Sequence, residues 1–408
     1  MENLTTFTLS NSMKCIHQQL DASEVSHFGI TIRAGSRDEK EEEQGLAHFI
    51  EHTIFKGTEK RRPFHILSRL DAVGGEINAY TTKEETCIYG SFLNVYYERA
   101  IELISDILFN STFPENEIQK EKDVIIDEIH SYMDSPSEQI FDDFEDQVFR
   151  GHSLGRNILG TINSVKSFTK NHVKSFIKRN YLPQNISISS VGNINSAKFE
   201  KLCVKYFDKN FETKEISGRE SFSENKPTSI SINRDTHQTH VMLGNVAYDI
   251  HSDKRRGMIL LNNVLGGPGL NNRLNLNIRE KYGLTYSIES NFVPYSDTGI
   301  FQVYFSSEKK SAEKIIKLIY KELKNFRNKK MGVNQLHQAK QQLKGHIALA
   351  QENKVGLMLA LGKSILLYDK VDTNKEIFTK IDQITSEDLL EIANEIFVED
   401  KFNSLIFN

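Results

Sequence analysis

The stretch "GLAHFIEHTIFKGT", residues 45–58, carries two histidines and a glutamate in the order H-x-x-E-H. A helical pattern runs over Glu43–Lys56, with good helix formers and with acidic residues in its first turn, where they suit the helix dipole. Side chains three and four positions apart lie on one face of a helix. The sequence therefore predicts that His48, Glu51 and His52 project together from one helix.

Two neutral imidazoles one helical turn apart can hold one metal ion. Zinc is the metal that this ligand type favours, with manganese and cobalt as alternatives. A carboxylate as third ligand leaves the fourth position for water, and Glu51 can take the proton from that zinc-bound water as it attacks a carbonyl. The alternative interpretation is an amphipathic helix with three solvated polar residues. An acidic third ligand on another element would favour the metal site.

The segment "ENEIQKEKDVIIDEIH", residues 115–130, supplies candidates for that ligand. Glu121 and Glu128 are seven residues, or two helical turns, apart and so share one face. One of them can complete a site of two histidines and one glutamate, while the other can orient a ligand histidine through a hydrogen bond. A helix this acidic also carries many solvated carboxylates, and the spacing alone does not choose among them.

A chain of 408 residues exceeds the usual size of a single core and predicts two domains. The polar stretch 213–229 predicts a linker, which gives domains over 1–212 and 230–408. The same order of elements recurs in the two halves of the chain. A stripe of apolar residues around Thr169 matches one around Thr385, and a strand pattern follows each stripe. Strands and helices come in blocks, so we expect an α+β fold with a duplicated domain.

Composition narrows the class of protein. The formal net charge of -4 gives no basic surplus, so we expect no nucleic-acid partner. The three cysteines are widely spaced, which favours a reducing compartment, and the first 20 residues resemble no signal or transit peptide. The most apolar run, residues 356–367, is interrupted by Lys363 and predicts a buried helix and no membrane partner. We therefore expect a cytoplasmic protein, most simply a bacterial one.

The segments "GLAHFIEHTIFKGT", "GGEINAYTTKEETCIY" and "EKDVIIDEI" follow one another in this order. Together they resemble the pitrilysin, insulin-degrading enzyme and mitochondrial processing peptidase family of zinc metallopeptidases, the inverzincins. The resemblance implies that Glu128, 76 residues after His52, is the third zinc ligand and that Glu121 orients a ligand. One departure is Ser12, where the family usually has a glycine in a hairpin turn.

The resemblance extends to the second half, where "NNVLGGPGLNNRLNLNIREKYGLTYSIES" matches the family's C-terminal domain. It implies that Arg279 and Tyr286 reach the active site as donors to a developing oxyanion and to substrate carbonyls. Without the resemblance they would be a solvated arginine and a half-buried strand tyrosine. The family also uses the strand that here holds Asn78, Ala79 and Tyr80 as a sheet edge for extended substrate.

The resemblance further implies that each domain is a mixed, mainly antiparallel sheet flanked by helices. The expected function is a zinc-dependent endopeptidase that hydrolyses peptides or unfolded segments inside a clamshell chamber. We expect a homodimer, or a heterodimer with a homologous chain. The alternative is a non-catalytic or partner-dependent subunit of a processing-peptidase-like heterodimer. Such subunits typically lose the zinc residues or the arginine and tyrosine, and this chain has both sets.

Overall fold

The computed structural model describes residues 3–209, 218–223, 226–234 and 236–408. They form two compact units, each of which includes a segment from the other half of the chain. The first unit comprises Met1–Ile129, Arg156–Arg219 and Leu349–Thr373, and the second comprises His130–Gly155, Glu220–Ala348 and Asn374–Asn408. Among the described residues, no helix has both the length and the apolar character needed to cross a membrane.

Helices and strands are numbered in chain order. Up to residue 207 they are β1 Leu4–Thr8, β2 Lys14–Gln19, β3 Val25–Ile32, α1 Leu46–Thr53, α2 Pro63–Asp71, β4 Glu76–Thr81, β5 Thr86–Leu93, α3 Tyr97–Asn110, α4 Glu115–Met133, α5 Pro136–Val148, α6 Ile162–Ser167, α7 Lys170–Asn180, β6 Ile186–Gly192 and α8 Ser196–Phe207.

From residue 229 they are β7 Ser229–Ile232, β8 Thr239–Ala247, α9 Arg255–Gly266, a π-helical turn Asn275–Glu280, β9 Thr285–Pro294, β10 Gly299–Ser307, α10 Lys309–Asn328, α11 Val333–Ala350, α12 Lys354–Tyr368, α13 Asn374–Gln383, α14 Ser386–Ile396 and β11 Asn403–Phe407.

The first unit contains a six-stranded sheet in the order β1-β2-β6-β3-β5-β4. Only β2 and β6 run parallel, and all other neighbours are antiparallel. Helices α1, α3 and α8 pack on one face over a large apolar core, and α12 packs on the other face against β2, β3 and β6. Strand β4 lies at the sheet edge, so its outer main-chain groups have no strand partner within the described sheet.

The second unit contains a five-stranded sheet in the order β7-β11-β8-β10-β9, again with one parallel pair, β7 and β11. Helices α9, α10 and α14 cover one face, and α5 packs on the other face against β8 and β11. The prediction of an α+β fold with two mainly antiparallel sheets flanked by helices is thus confirmed.

The apolar stripes that recur in the two halves of the sequence belong to helices α7 and α14. Thr169 and Thr385 are their N-caps, and each threonine side chain accepts a hydrogen bond from the backbone N–H three residues later. Satisfying this otherwise unpaired donor fixes the start of each helix. A strand follows each helix, β6 in the first unit and β11 in the second. The two units therefore repeat the same local construction.

One boundary between the compact units, between Arg219 and Glu220, lies within the predicted linker 213–229, but each unit also takes a segment from the other half of the chain. Helix α5 comes from the first half of the sequence but buries Phe144 against the second sheet, whereas α12 comes from the second half but buries Met358 against the first sheet. Each apolar helix covers a sheet face that would otherwise be exposed to water. Residues 213–217 and 224–225 of the predicted linker lie outside the described residues.

Backbone conformation accounts for two local features of the chain, a break between two helices and a residue in a hairpin turn. The chain breaks between α4 and α5, because the residue before Pro136 is disfavoured in the helical conformation. Ser12 lies in the hairpin between β1 and β2 with a φ of 77°, in the left-handed region that favours glycine. This explains why a glycine would suit the position.

Candidate active site

Gly45 is the N-cap of helix α1 and has a φ of 91°. A Cβ atom there would lie 2.5 Å from the carbonyl oxygen of Leu159, so both the backbone conformation and the space require glycine. The first turn of α1 contains no acidic residue, contrary to the sequence-based expectation. Instead, the buried carboxylate of Glu39 accepts hydrogen bonds from the N–H groups of Gly45 and Ala47, at 2.9 and 2.8 Å. Glu39 therefore takes the place of the expected first-turn acids.

His48, His52 and Glu128 meet beside this helix. Their candidate ligand atoms all lie within 4.8 Å of one another, and this is the one cluster of its kind in the part of the chain that the structure describes. Glu128 Oε1 lies 3.8 Å from His48 Nε2, and Glu128 Oε2 lies 3.5 Å from His52 Nε2. The structure thus brings together the predicted metal ligands from α1 and α4.

The donor set fits a zinc ion. With bonds of about 2.1 Å in tetrahedral geometry, neighbouring ligand atoms are separated by about 3.4 Å. The two distances between Glu128 and the imidazoles are close to that value. Neutral imidazole nitrogens and carboxylate oxygens all present lone pairs, so a cation between them turns mutual repulsion into attraction.

Glu121 holds His52 from the other side of its ring. Glu121 Oε2 lies 3.3 Å from His52 Nδ1, and Glu121 Oε1 pairs with Lys56 Nζ at 2.7 Å. When Nδ1 carries the proton and donates it to Glu121, the lone pair of Nε2 points toward Glu128 and the metal position. Lys56 was missed by the sequence reasoning; it lies three residues beyond the end of α1, where helical spacing no longer indicates which side a residue faces.

The ring of His48 is more deeply buried than that of His52. Burial, reinforced by the nearby charge of His52, lowers the pKa of His48 to about 4. The Nδ1 atom of His48 is buried and has no hydrogen-bond partner among the described residues. A ring with this pKa is neutral near pH 7, the state that a metal ligand requires.

Glu51 lies between the two histidines in sequence and is half-buried. Burial raises the pKa of its carboxyl, and the negative charge of Glu128 adds to the effect. The Thr81 hydroxyl and His52 act in the opposite direction. Glu51 is absent from the ligand cluster, so its carboxylate stays available for proton transfer.

Asn78, Ala79 and Tyr80 lie on edge strand β4, as the resemblance implied. Ala79 faces the apolar core on the side of α1. Tyr80 faces the other side, where its hydroxyl donates to Glu85 Oε1 at 3.3 Å. The side chains alternate between the two faces, as the pleat of a strand requires.

Arg279 and Tyr286 belong to the second unit. The guanidinium carbon of Arg279 lies 5.5 Å from the centroid of the Tyr286 ring, and Arg279 Nη1 donates to Asn275 at 3.1 Å. Arg279 lies in the π-helical turn, a conformation frequent at functional sites, and Tyr286 is 82% exposed. The structure brings these two residues together, and their role in catalysis stays a prediction.

Two family models match the chain. The one described as Insulinase (Peptidase family M16) matches residues 15–162, and the one described as Peptidase M16 inactive domain matches residues 167–343. The chain therefore belongs to peptidase family M16, the insulinase family, whose members use zinc.

Relatives of similar length support this assignment. The uncharacterized zinc protease YmxG of Bacillus subtilis is 31% identical over 404 residues, which is 98% of this chain and 97% of the relative. An uncharacterized zinc protease of Rickettsia felis is 33% identical over 406 residues, with 97% and 95% covered. The crystal structure of a protease from Helicobacter pylori has a TM-score of 0.93 over 100% of both chains; at 21% identity it shows the fold alone.

Proposed function

We propose that this chain is a zinc-dependent endopeptidase that hydrolyses peptides or unfolded polypeptide segments. The observation that carries the proposal is the meeting of two imidazoles and one carboxylate within 4.8 Å, next to a half-buried glutamate that is not one of the three. This combination supplies both a metal site and a separate base.

In this proposal His48, His52 and Glu128 hold the zinc ion. Zinc, when bound, supplies Lewis-acid chemistry that polarises the scissile carbonyl and the attacking water. Glu121 accepts the Nδ1–H of His52 and so fixes the ring orientation and the tautomer. Lys56 pairs with Glu121 and holds that carboxylate in place.

Glu51 serves as the general base. It takes a proton from the water that attacks the carbonyl carbon, and it delivers a proton to the amide nitrogen as the carbon–nitrogen bond breaks. Its raised pKa makes the Glu51 carboxylate a stronger base for the first step and favours its keeping the proton that it delivers in the second.

Substrate binding in this proposal uses the edge of β4. An extended peptide adds there by main-chain hydrogen bonds, which give affinity without demanding a sequence. Asn78, Ala79 and Tyr80 would line this position, and Arg279 and Tyr286 would donate hydrogen bonds to the oxyanion and the substrate carbonyls. The homodimer, the clamshell chamber and the cytoplasmic location that we expected from the sequence are parts of the same proposal.

A second candidate is a partner-dependent or non-catalytic subunit. It is favoured by the description of the model that matches residues 167–343 as an inactive domain. Under this alternative the zinc site would remain structural, or would act only in a heterodimer with a homologous chain. Bound zinc without peptide cleavage would distinguish it from the first candidate.

The test measures bound zinc, oligomeric state and cleavage of a quenched, unstructured peptide. The wild type should bind one zinc ion per chain and cleave, and Glu51→Gln should keep the zinc while activity falls by about 10²-fold or more. Glu128→Ala should lose the zinc, whereas Asp127→Asn, an exposed neighbour on α4, should behave like the wild type. Zinc without cleavage by the wild type would support the second candidate, and a wild type without zinc would contradict both proposals.

A further inference from the structure

Helix α12 lies far from the metal-binding residues in sequence, yet it packs on the first sheet, whose edge strand is β4. The approach is close because the sheet presents small side chains to it. The hydroxyl of Ser187 donates to the carbonyl of Gly362 at 2.7 Å, and a Cβ at Gly362 would lie 2.8 Å from Ser189 Oγ. The position of α12 on the sheet is therefore closely defined.

Lys363 follows Gly362 and reaches the hairpin between β4 and β5. Its Nζ lies 3.0 Å from Glu85 Oε2, and the other oxygen of Glu85 accepts the hydroxyl of Tyr80 at 3.3 Å. The Glu85 side chain is 12% exposed and that of Lys363 is 50% exposed. One nearly buried carboxylate thus connects a lysine of α12 to a tyrosine of the edge strand.

The rest of the hairpin turn is tied down in the same manner. Lys83 Nζ donates to the carbonyl of Arg156, and Glu84 pairs with Arg37 at 2.7 Å and with Arg219 at 3.0 Å. Three consecutive charged residues of the turn, Lys83 to Glu85, therefore bind partners from distant parts of the first unit. A turn that only reverses the chain does not require such ties.

We propose that Lys363 and Glu85 are positioning residues for peptide binding, which hold edge strand β4 in the conformation that an extended substrate pairs with. The inference rests on the proposed function, in which substrate binds at β4. A strand held in place before binding loses less conformational entropy when a peptide adds to it, so the tie should strengthen peptide binding and leave the chemical step unchanged.

The test uses the full-length zinc protein and the variants Lys363→Met and Glu85→Gln. Both should raise KM for a long, unstructured peptide about threefold to tenfold and keep kcat within about twofold, the pattern of lost ground-state binding. Hydrogen exchange of the amides in β4 and in the following turn should become faster. The control is Lys205→Met, which breaks an exposed ion pair with Glu98 elsewhere in the first unit. It should change neither KM nor the hydrogen exchange of β4.

Two results would overturn the inference. The first is unchanged hydrogen exchange in both variants. The second is faster exchange with an unchanged KM, because the tie would then only stabilise the fold. A wild type that cleaves no peptide would instead count against the proposed function. In that case peptide binding to the Glu51→Gln protein, measured by fluorescence anisotropy with and without Lys363→Met, still tests the tie. Equal affinities, or no binding to either protein, would overturn it.

Discussion

Glu121 Oε2 lies 3.3 Å from Nδ1 of His52, on the side of the ring opposite to the nitrogen that faces Glu128. The two glutamates are two turns apart on α4, so one helix face serves both nitrogens of a single imidazole. The two carboxylates have different surroundings. The Glu121 side chain is 8% exposed and paired with Lys56, whereas that of Glu128 is 43% exposed. This difference matches an orienting role for the first and a metal-binding role for the second.

Replacing Glu121 should therefore weaken zinc binding without abolishing it. We expect Glu121→Gln to lower zinc affinity by about 10- to 100-fold, because His52 loses the charged acceptor that fixes its tautomer and orientation. Competition with a chromogenic chelator measures this affinity without relying on activity. Asp123→Asn, an exposed carboxylate on the same helix, is the control. Equal affinity in the wild type and Glu121→Gln would show that the contact has no role in the metal site.

His17 should make the protein sensitive to mild acid. It is fully buried in β2, its Nε2 donates to the carbonyl of Ile194 at 3.0 Å, and burial lowers its pKa. An unfolded histidine has a pKa of about 6.5, so below that pH the unfolded chain binds a proton that the folded chain does not, and stability falls. The loss from this residue reaches at most about 1.4 kcal/mol near pH 5.5.

Urea unfolding of the metal-free protein near pH 8 and near pH 5.5 measures the effect. His17→Gln, which keeps an N–H donor for the carbonyl, should lose less stability between the two pH values than the wild type does. His65→Gln, at an exposed position of α2, should keep the wild-type difference. If the stability of His17→Gln depends on pH as that of the wild type does, the buried ring of His17 does not contribute to the loss of stability in acid.

The helix faces that carry the candidate metal ligands were predictable because helical spacing is local information. H-x-x-E-H on one helix and a separation of seven residues on α4 each define a face, but neither shows that the two faces meet. The cap that Glu39 provides for α1 was not predictable, since its carboxylate reaches Gly45 across six residues through an intervening 3-10 turn. Such a contact depends on the path of the backbone, which no periodic pattern specifies.

The exchange of helices between the units was not predictable either. An apolar stripe on α5 or α12 indicates burial but does not specify which sheet the helix covers. The predicted run over 356–367 was correctly interpreted as a packed helix, with Met358 and Leu361 buried, but its association with the first sheet depends on contacts distant in sequence. The duplication itself was visible because Thr169 and Thr385 carry the same local capping signal.

Phe144 tests the assignment of α5 to the second unit. Its ring is fully buried against β8, in a cluster with Met242 and Leu405. We expect Phe144→Ala to cost about 3–5 kcal/mol, the usual range for a buried phenylalanine. Phe64→Ala, at a side chain that is 73% exposed on α2, should change stability by less than about 0.5 kcal/mol. Thermal unfolding followed by circular dichroism measures both, and similar small effects would contradict the packing of α5.

Gly362 gives the sharpest test of α12. In the middle of a helix, alanine normally stabilises relative to glycine by up to about 1 kcal/mol. Gly345 in α11 should show this gain, because a Cβ there meets no atom within 4 Å. At Gly362 the added Cβ would lie 2.8 Å from Ser189 Oγ and 3.0 Å from Thr31 Oγ1, both on buried strands. Overpacking of this kind costs about 1–3 kcal/mol and exceeds the helical gain.

We therefore expect opposite signs for the same substitution in two helices. Gly345→Ala should raise the urea midpoint, and Gly362→Ala should lower it by the equivalent of about 1 kcal/mol or more. Since α12 also carries Lys363, its displacement should raise KM for the long peptide in Gly362→Ala, as in Lys363→Met. A stabilising Gly362→Ala would mean that the helix does not pack closely on the sheet, and the tie from Lys363 to Glu85 would lose its rigid support.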